Sequence, residues 1–386
     1  MGCTRLPGSR PGASRTSPWQ SLGTRVRTGV EPLTLATASA NGSSRGNAMH
    51  PRTVEPTPQH LFEVVGGFQD SAALEGAIDL DLFTAIGEGA DNPQTLSQRC
   101  NASERGVRIV CDYLVTIGVL AKDGGRYLLT PESAMFLDRK SPNCLAPLFK
   151  LMLSPTRRAV FSNLASKARS AEPVEESGGE VAGQEAYWVE FARGFAPLDG
   201  LAAERLADLV ERQGIRPSRV LDLAAGHGLW GIAIARRNPD AFVVAVDRPA
   251  VLEVARANAA RSGLGARYET IGGDAFQVEF GKDYDLVLIT NFLAGMDSPS
   301  CEKCLVRAHS ALKVGGHLVV LDVVPNEDRV TPLVPAQFAL TMLAEGGTGE
   351  VQTFADYSRL LETAGFESAE ISPLLPSVES VIIARR

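Results

Sequence analysis

The chain has 386 residues, a mass of 41.1 kDa and a net charge of −7, with 44% hydrophobic and 22% charged residues. This length predicts two or three domains, and the composition is that of a globular protein with a sizeable core. The acidic balance excludes a surface built throughout to bind nucleic acid, and the lack of an 18-residue apolar run excludes a membrane-spanning helix.

The first fifty residues form a basic arm on an acidic body. They contain six Arg, no Lys and one acid, Glu31, whereas the rest of the chain has 32 basic and 44 acidic residues. A transit peptide, a disordered tail or a mis-assigned start with Met49 as the true first residue would each explain this arm. Three prolines in the first eighteen residues interrupt the amphipathic helix of a transit peptide. We therefore expect residues 1–57 to be disordered or mis-assigned.

Residues 58–140 are predicted to form three helices and a β-hairpin. Apolar residues at helical spacing run from His60 to Ile86, a short helix follows over 93–100, and a third begins at Ser103 before two short strands. This order is that of a winged helix. The segment holds twelve acids and seven bases, which favours contact with protein over contact with DNA. Its apolar first helix suits packing against another chain.

Residues 141–205 are predicted to be mostly helical, with a loop at 172–183. After this loop, four aromatic side chains recur on one side of a helix: Tyr187, Trp188, Phe191 and Phe195. Two hypotheses fit this pattern, ordinary core packing and the wall of a flat apolar pocket.

From Arg219 onwards, strand-like runs alternate with helices. The predicted strands are 219–223, 242–246, 267–271, 284–290 and 316–323, and two more close the chain at 367–372 and 378–384. Such alternation is typical of an α/β fold with a parallel sheet covered by helices on both faces. We thus expect a Rossmann-like sheet of seven strands over residues 206–386.

The strongest chemical motif is the run VLDLAAGHG, which lies between the first of these strands and a helix. Its small residues Ala224, Gly226 and Gly228 allow a ligand to approach the backbone, and the helix N-terminus favours a negative group. Asp247 ends the next strand, where a carboxylate can accept hydrogen bonds from ribose hydroxyls. A nucleoside-containing ligand is therefore predicted.

Two nucleoside cofactors compete for this motif. The run formally matches G-x-G-x-x-G through Gly231, so a nicotinamide-dependent oxidoreductase stays open. S-adenosylmethionine is favoured because Asp222 could lie beside a ligand ammonium, and because Asp274, Ala275 and Phe276 follow the third strand, where an adenine would lie. The two closing strands also suit a sheet with an antiparallel last strand.

Together these motifs resemble the class I S-adenosylmethionine-dependent methyltransferases that carry an N-terminal winged-helix dimerisation domain. This family contains small-molecule O-methyltransferases of the hydroxyindole and caffeate types. The resemblance covers residues 58–386 and includes the segment LVLITNFL at 286–293 and Gly315-Gly316 before the fifth strand. It implies a homodimer and a small acceptor, which we expect to be aromatic or polyketide-like.

The resemblance also implies roles for single residues. Gly226 and its neighbours, Ala224 among them, would hold the methionine part of S-adenosylmethionine, and Asp247 would bind the ribose. The adenine would lie among Asp274, Ala275 and Phe276, with Asn291 beside the cofactor. The family places acceptor-contacting side chains in two helices, which here carry Trp188, Phe191, Phe195, Phe338 and Met342.

The chain departs from the family at its acid–base pair. The general-base His of the family falls at Ala294, and the acid that assists it falls at Val351. A general base typically raises the reaction rate by ~10²–10⁴-fold. Methyl transfer can therefore proceed without this base if the acceptor is already nucleophilic, as an acidic phenol, an activated carbon or an amine is. The other candidate bases are Asp297, Asp322, His309 and His317. A non-catalytic, ligand-binding relative is the alternative.

The cysteines indicate a reducing, cytoplasmic setting and no metal. Six of them are scattered along the chain, and Cys301 and Cys304 form a lone CxxC pair on a predicted helix. A structural zinc site needs about four ligands, and nothing nearby completes the set.

Overall fold

A computed structural model describes residues 56–169, 185–346 and 349–386, and Pro58–Arg386 form one compact unit. The arm up to residue 55 and the loop predicted at 172–183 lie outside these ranges. Within the described residues, no helix is both long and apolar enough to cross a lipid bilayer.

The N-terminal elements follow the predicted order of helices and hairpin. They are α1 (Gln59–Asp79), α2 (Leu82–Gly87), α3 (Pro93–Arg99), α4 (Glu104–Thr116), β1 (Leu120–Asp123), β2 (Arg126–Leu129) and α5 (Pro131–Phe136). The single helix predicted over 60–86 is divided in two, because Asp81 takes a left-handed backbone with a φ of 57°. The buried side chains of Phe83, Leu96, Leu114 and Tyr127 form the core of this part.

A helical connector follows. It comprises α6 (Ala146–Met152), α7 (Pro155–Ala159), a 3₁₀ turn (Val160–Asn163), α8 (Leu164–Arg169) and the 28-residue helix α9 (Glu185–Arg212). The aromatic residues lie in the first turns of α9, and the boundary predicted at residue 205 falls inside this helix.

The central sheet has seven strands, as predicted. These are β3 (Arg219–Leu223), β4 (Phe242–Asp247), β5 (Tyr268–Gly272), β6 (Tyr284–Thr290), β7 (Leu312–Asp322), β8 (Glu367–Pro373) and β9 (Ser380–Arg385). Their order is β5-β4-β3-β6-β7-β9-β8, and β9 runs antiparallel to both of its neighbours. The order of the parallel strands reverses between β3 and β6, which is where a ligand crevice forms at the carboxyl edge of such sheets.

Helices cover both faces of the sheet. They are α10 (Leu229–Arg237), α11 (Pro249–Arg261), α12 (Ser298–Ala311) and α14 (Phe354–Thr363), whereas α13 (Leu333–Glu345) packs on the helical connector. On one face α9, α10 and α11 pack on Val220, Leu286 and Leu288. On the other face α12 and α14 pack on Leu221 and Val287.

Candidate active site

The loop between β3 and α10 is built from residues that tolerate unusual backbone angles. Ala224, Gly226 and Gly228 have φ values of 54°, 55° and 75°. A side chain at position 228 would collide with the hydroxyl of Tyr268, whereas no atom lies within 4 Å of the position of a Cβ at Gly226. The loop is thus tightly packed on one side and has room for a ligand on the other.

Asp222 lies beneath this loop, at the carboxyl end of β3. Its side chain is fully buried, and the backbone N–H of Gly231 donates to Oδ2 at 3.2 Å. The other oxygen, Oδ1, has no hydrogen-bond partner among the described residues. Burial raises the pKa of Asp222 to about 7. An unsatisfied buried acceptor of this kind favours a donor or a cation nearby.

Asp247 ends β4 and connects to the same loop. Its Oδ2 accepts a hydrogen bond from the N–H of Gly226 at 2.8 Å, and its Oδ1 accepts one from the N–H of Arg248 at 2.7 Å. Burial raises the pKa of this carboxyl, although both backbone bonds act in the opposite direction. Each carboxylate oxygen has a further lone pair, so two hydroxyl donors can still bind.

The residues predicted to surround an adenine follow β5, the strand next to β4. Asp274 accepts hydrogen bonds from the N–H of Phe276 at 2.9 Å and from the side-chain amide of Gln277 at 2.8 Å. The ring of Phe276 lies 6.2 Å from that of Phe292, so these two rings and Ala275 form an apolar patch. Since β4 and β5 are adjacent and parallel, the Asp247 and Asp274 sites share one edge of the sheet.

Asn291 follows β6, the strand on the other side of β3. It has a left-handed backbone with a φ of 51°, and its N–H donates to the carbonyl of Leu321 at 2.7 Å. Its side-chain Nδ2 donates to Oε1 of Glu379 at 3.0 Å. The predicted cofactor residues therefore all lie along the carboxyl ends of β3, β4, β5 and β6.

The aromatic residues of α9 form a continuous half-buried row. The rings of Phe191 and Phe195 are 4.3 Å apart, and Trp188 lies 5.6 Å from Phe191. Trp188 also packs on α11 and carries the guanidinium of Arg248 over its ring at 5.4 Å. Trp188 thus lies next to the Asp247 end of the site, while the two Phe rings continue along α9.

Helix α13 carries the other two residues predicted to contact the acceptor. Phe338 and Met342 are half-buried, and the Met342 sulfur lies 3.7 Å from the position of a Cβ at Gly295. α13 packs on α8 and on the 3₁₀ turn before it. Met342 therefore contacts the segment that follows Asn291, which places one predicted wall residue close to the mouth of β6.

Two family models match this chain, one described as an O-methyltransferase domain over residues 180–367 and one as an O-methyltransferase dimerisation domain over 62–139. A candidate O-methyltransferase from Nostoc punctiforme is similar over 86% of this chain and all of its own, with 41% identity and a TM-score of 0.81. The chain belongs to the O-methyltransferase family. Membership confirms the predicted methyltransferase class and the sequence-based prediction of a dimerisation domain.

Two further similarities concern more distant methyltransferases. The 3-hydroxy-5-methyl-1-naphthoate 3-O-methyltransferase of Streptomyces sahachiroi is 27% identical over 316 residues, which are 80% of this chain and 89% of the relative. Human N-acetylserotonin methyltransferase, solved in complex with S-adenosylmethionine, has a TM-score of 0.74 at 22% identity and covers 87% of this chain and 99% of its own. At this identity, the second similarity shows only that the two chains share the methyltransferase fold.

In this methyltransferase, the two positions where the resemblance places the family's acid–base pair are part of the core. Ala294 and Val351 expose 2% and 3% of their surfaces. The segments that carry them are joined, since the N–H of Glu350 donates to the carbonyl of Met296 at 3.3 Å and Gly349 lies against Gly295. No proton acceptor can act from these two positions.

The four other candidate bases of the methyltransferase differ in their burial and in their hydrogen-bond partners. Asp322 is 1% exposed, and its oxygens accept hydrogen bonds from the N–H groups of Ala294 and Val323 and from the Tyr357 hydroxyl. Asp297 caps α12 by accepting from the N–H of Ser300 at 2.9 Å.

The two histidines lie at the opposite edge of the sheet from Asn291. His317 pairs with Leu286 at the start of β6, and the ring of His309 packs on Phe366. We expect neither to act on an acceptor, and the catalytic base stays unassigned.

Two contacts of the methyltransferase site were not predicted from the sequence. His227, within the cofactor loop, places Nε2 2.8 Å from Oδ2 of Asp199 on α9. Glu379, in the turn between β8 and β9, bonds to Asn291. The loop position of His227 was a usable signal, whereas Glu379 is 88 residues from Asn291 and has no local motif.

Proposed function

We propose that this methyltransferase transfers the methyl group of S-adenosylmethionine to a small aromatic or polyketide-like acceptor held between α9 and α13. The observation that carries this proposal is the row of cofactor-type contacts along β3, β4, β5 and β6. The relative from Streptomyces sahachiroi acts on a hydroxynaphthoate, which supports a flat aromatic acceptor. O-methylation is our first expectation, and C- or N-methylation stays open because Ala294 replaces the base.

The residues present fit the cofactor. Small residues leave space at Gly226, and the buried Oδ1 of Asp222 lacks a donor among the described residues. The loop containing Ala224, Gly226 and Gly228 would bind the methionine part, and Asp247 would hold the ribose hydroxyls. Asp274, Ala275 and Phe276 would surround the adenine, with Asn291 next to the methionine end.

The mechanism relies on positioning. When bound, S-adenosylmethionine supplies an electrophilic methyl group on a sulfonium. The α9 row and the α13 residues Phe338 and Met342 would exclude water and hold the acceptor in line with that methyl. Orientation of this kind can lower the activation barrier of methyl transfer by up to ~7–11 kcal/mol. An acceptor that is already nucleophilic then needs no base at position 294.

A homodimer is the proposed assembly. The first turns of α1 expose five large apolar side chains by about two thirds or more of their surface: Leu61, Phe62, Val64, Val65 and Phe68. Isolated proteins seldom expose a contiguous apolar stripe of this size. The dimerisation family model begins at residue 62, within this stripe.

We propose no nucleic-acid partner, and a cytoplasmic location in keeping with the five described free thiols.

A catalytically inactive relative is the second candidate, favoured by the burial of Ala294 and Val351. Calorimetry with S-adenosylhomocysteine, followed by a mass-spectrometric screen of hydroxynaphthoates, other phenols and aromatic amines, separates the two. Binding together with a gain of one methyl group on any acceptor supports methyl transfer. Binding without turnover of any acceptor supports the inactive relative, and failure to bind S-adenosylhomocysteine overturns both the cofactor assignment and the proposed function.

A further inference from the structure

Two buried carboxylates from different elements of the fold interact electrostatically. Asp199 lies in the middle of α9 and exposes 6% of its surface, and Glu379 lies just before β9 and exposes 9%. Burial, and after it the negative charge of Asp199, raise the pKa of Glu379. Neither residue belongs to the cofactor motif read from the sequence, and the proposed mechanism uses neither.

The partner of Asp199 does not neutralise this charge. His227 Nδ1 accepts a hydrogen bond from the N–H of Leu229 at 3.1 Å, so this ring nitrogen carries no proton. The proton of the ring therefore lies on Nε2, which donates to Asp199 at 2.8 Å. An imidazole with one proton is neutral, and the Asp199 carboxylate has a donor but no opposite charge.

Glu379 is likewise held by neutral donors. Oε1 accepts from the Asn291 amide at 3.0 Å, and Oε2 accepts from the Ser377 hydroxyl. Over the described parts of the chain, neither acid forms an ion pair with a Lys or Arg side chain. A buried carboxylate without a counter-charge is costly, so the pair favours a cationic ligand. The fully buried Oδ1 of Asp222, unpartnered among the described residues, lies on the same face of the sheet.

Both acids flank the place where the methionine end of the cofactor would lie. Asp199 is linked to the loop between β3 and α10 through His227, and Glu379 is linked to the end of β6 through Asn291. Strands β3 and β6 are adjacent and parallel. The two carboxylates thus approach this end of the site from both sides.

We propose that Asp199 and Glu379 make this site selective for a sulfonium over a thioether. This inference rests on the proposed function. The methyl donor has one more positive charge than its product, because loss of the methyl group turns the sulfonium into a neutral sulfide. An uncompensated negative charge nearby stabilises the donor and not the product. The pair therefore favours binding of S-adenosylmethionine and release of S-adenosylhomocysteine after transfer.

The test compares the affinities of the full-length chain for S-adenosylmethionine and S-adenosylhomocysteine by calorimetry. Glu379→Gln keeps the size of the side chain and removes its charge. We expect it to weaken binding of S-adenosylmethionine by roughly 5–50-fold, with less than about a two-fold change for S-adenosylhomocysteine. Asp199→Asn should act in the same direction. Glu370→Gln, on an exposed position of β8, is the matched control and should leave the ratio of affinities unchanged.

The outcomes separate the possible failures. A purely structural role predicts equal losses for both ligands in Glu379→Gln, and that result would overturn the inference, as would an unchanged ratio in both variants. If Glu379→Gln does not fold by circular dichroism, Asp199→Asn decides the question by the same ratio. Failure of the unmodified chain to bind either ligand overturns the proposed function instead.

Discussion

The backbone N–H of Gly226 donates to Oδ2 of Asp247 at 2.8 Å, so the carboxylate proposed to hold the ribose also fixes the loop proposed to hold the methionine. We predict that Asp247→Ala weakens S-adenosylhomocysteine binding by about 10–150-fold, since charged hydrogen bonds of ~1.5–3 kcal/mol are lost. Calorimetry measures this directly. Asp240→Ala, at an exposed site before β4, serves as the control. Equal affinities for Asp247→Ala and the unmodified chain would remove Asp247 from the cofactor site.

The pH dependence of stability should reflect the buried Asp322. Burial raises its pKa to about 6 from an ordinary value of 3.8, although Tyr357, Ala294 and Val323 donate hydrogen bonds to it. Because the folded protein binds this proton more tightly than the unfolded chain does, the stabilisation is complete below about pH 4. It is lost as the pH rises through about 6.

Asp322→Asn should remove this dependence. Between pH 4 and pH 7, the free energy of unfolding of the unmodified chain is expected to fall by up to about 3 kcal/mol more than that of the variant. Urea denaturation at a series of pH values measures the difference. The other acids whose pKa burial raises, Asp222, Asp247 and Glu379, are present in both proteins. Parallel curves for the two proteins would contradict the prediction, and Asp240→Asn should give such parallel curves.

The sequence predicted the part of the site that local pattern determines. The loop with Gly226, the strand-end acid Asp247 and the seven strands follow from spacing and from the alternation of strands and helices. The break at Asp81 was missed because the apolar spacing continues through it. Glu379 could not be predicted, since it meets Asn291 only when the β8–β9 hairpin returns along β7 to the carboxyl edge. The burial of Ala294 and Val351 likewise depends on two distant segments packing together.

The apolar stripe on α1 predicts how the assembly will respond to charge. Phe62 and Phe68 expose 72% and 68% of their surfaces. The double variant Phe62→Glu with Phe68→Glu should convert a dimer into monomers, because two carboxylates per chain would be buried at the interface. Size-exclusion chromatography with light scattering gives the mass. Val314→Glu, at an 88% exposed position in β7, is the control and should remain dimeric. A monomeric unmodified chain, or a dimeric double variant, would exclude this interface.

The close contact between positions 349 and 295 predicts a strict need for glycine. A Cβ at Gly349 would overlap the backbone carbonyl of Gly295, and backbone atoms cannot move aside as a flexible side chain can. Gly349→Ala should therefore destabilise the protein by about 1–3 kcal/mol, the usual cost of inserting a methyl group into a packed region. It should also displace the segment that holds Ala294 against Asp322.

Urea denaturation of Gly349→Ala beside Gly200→Ala provides the comparison. Gly200 lies in α9, and no atom lies within 4 Å of its Cβ position, so alanine there should be neutral or stabilising by about 0.5–1 kcal/mol. Opposite shifts in the two denaturation midpoints are expected. If Gly349→Ala is as stable as the unmodified chain, the two segments can separate without cost. The acid–base positions at 294 and 351 would then be able to open to an acceptor, and the argument that their burial excludes a base there would fail.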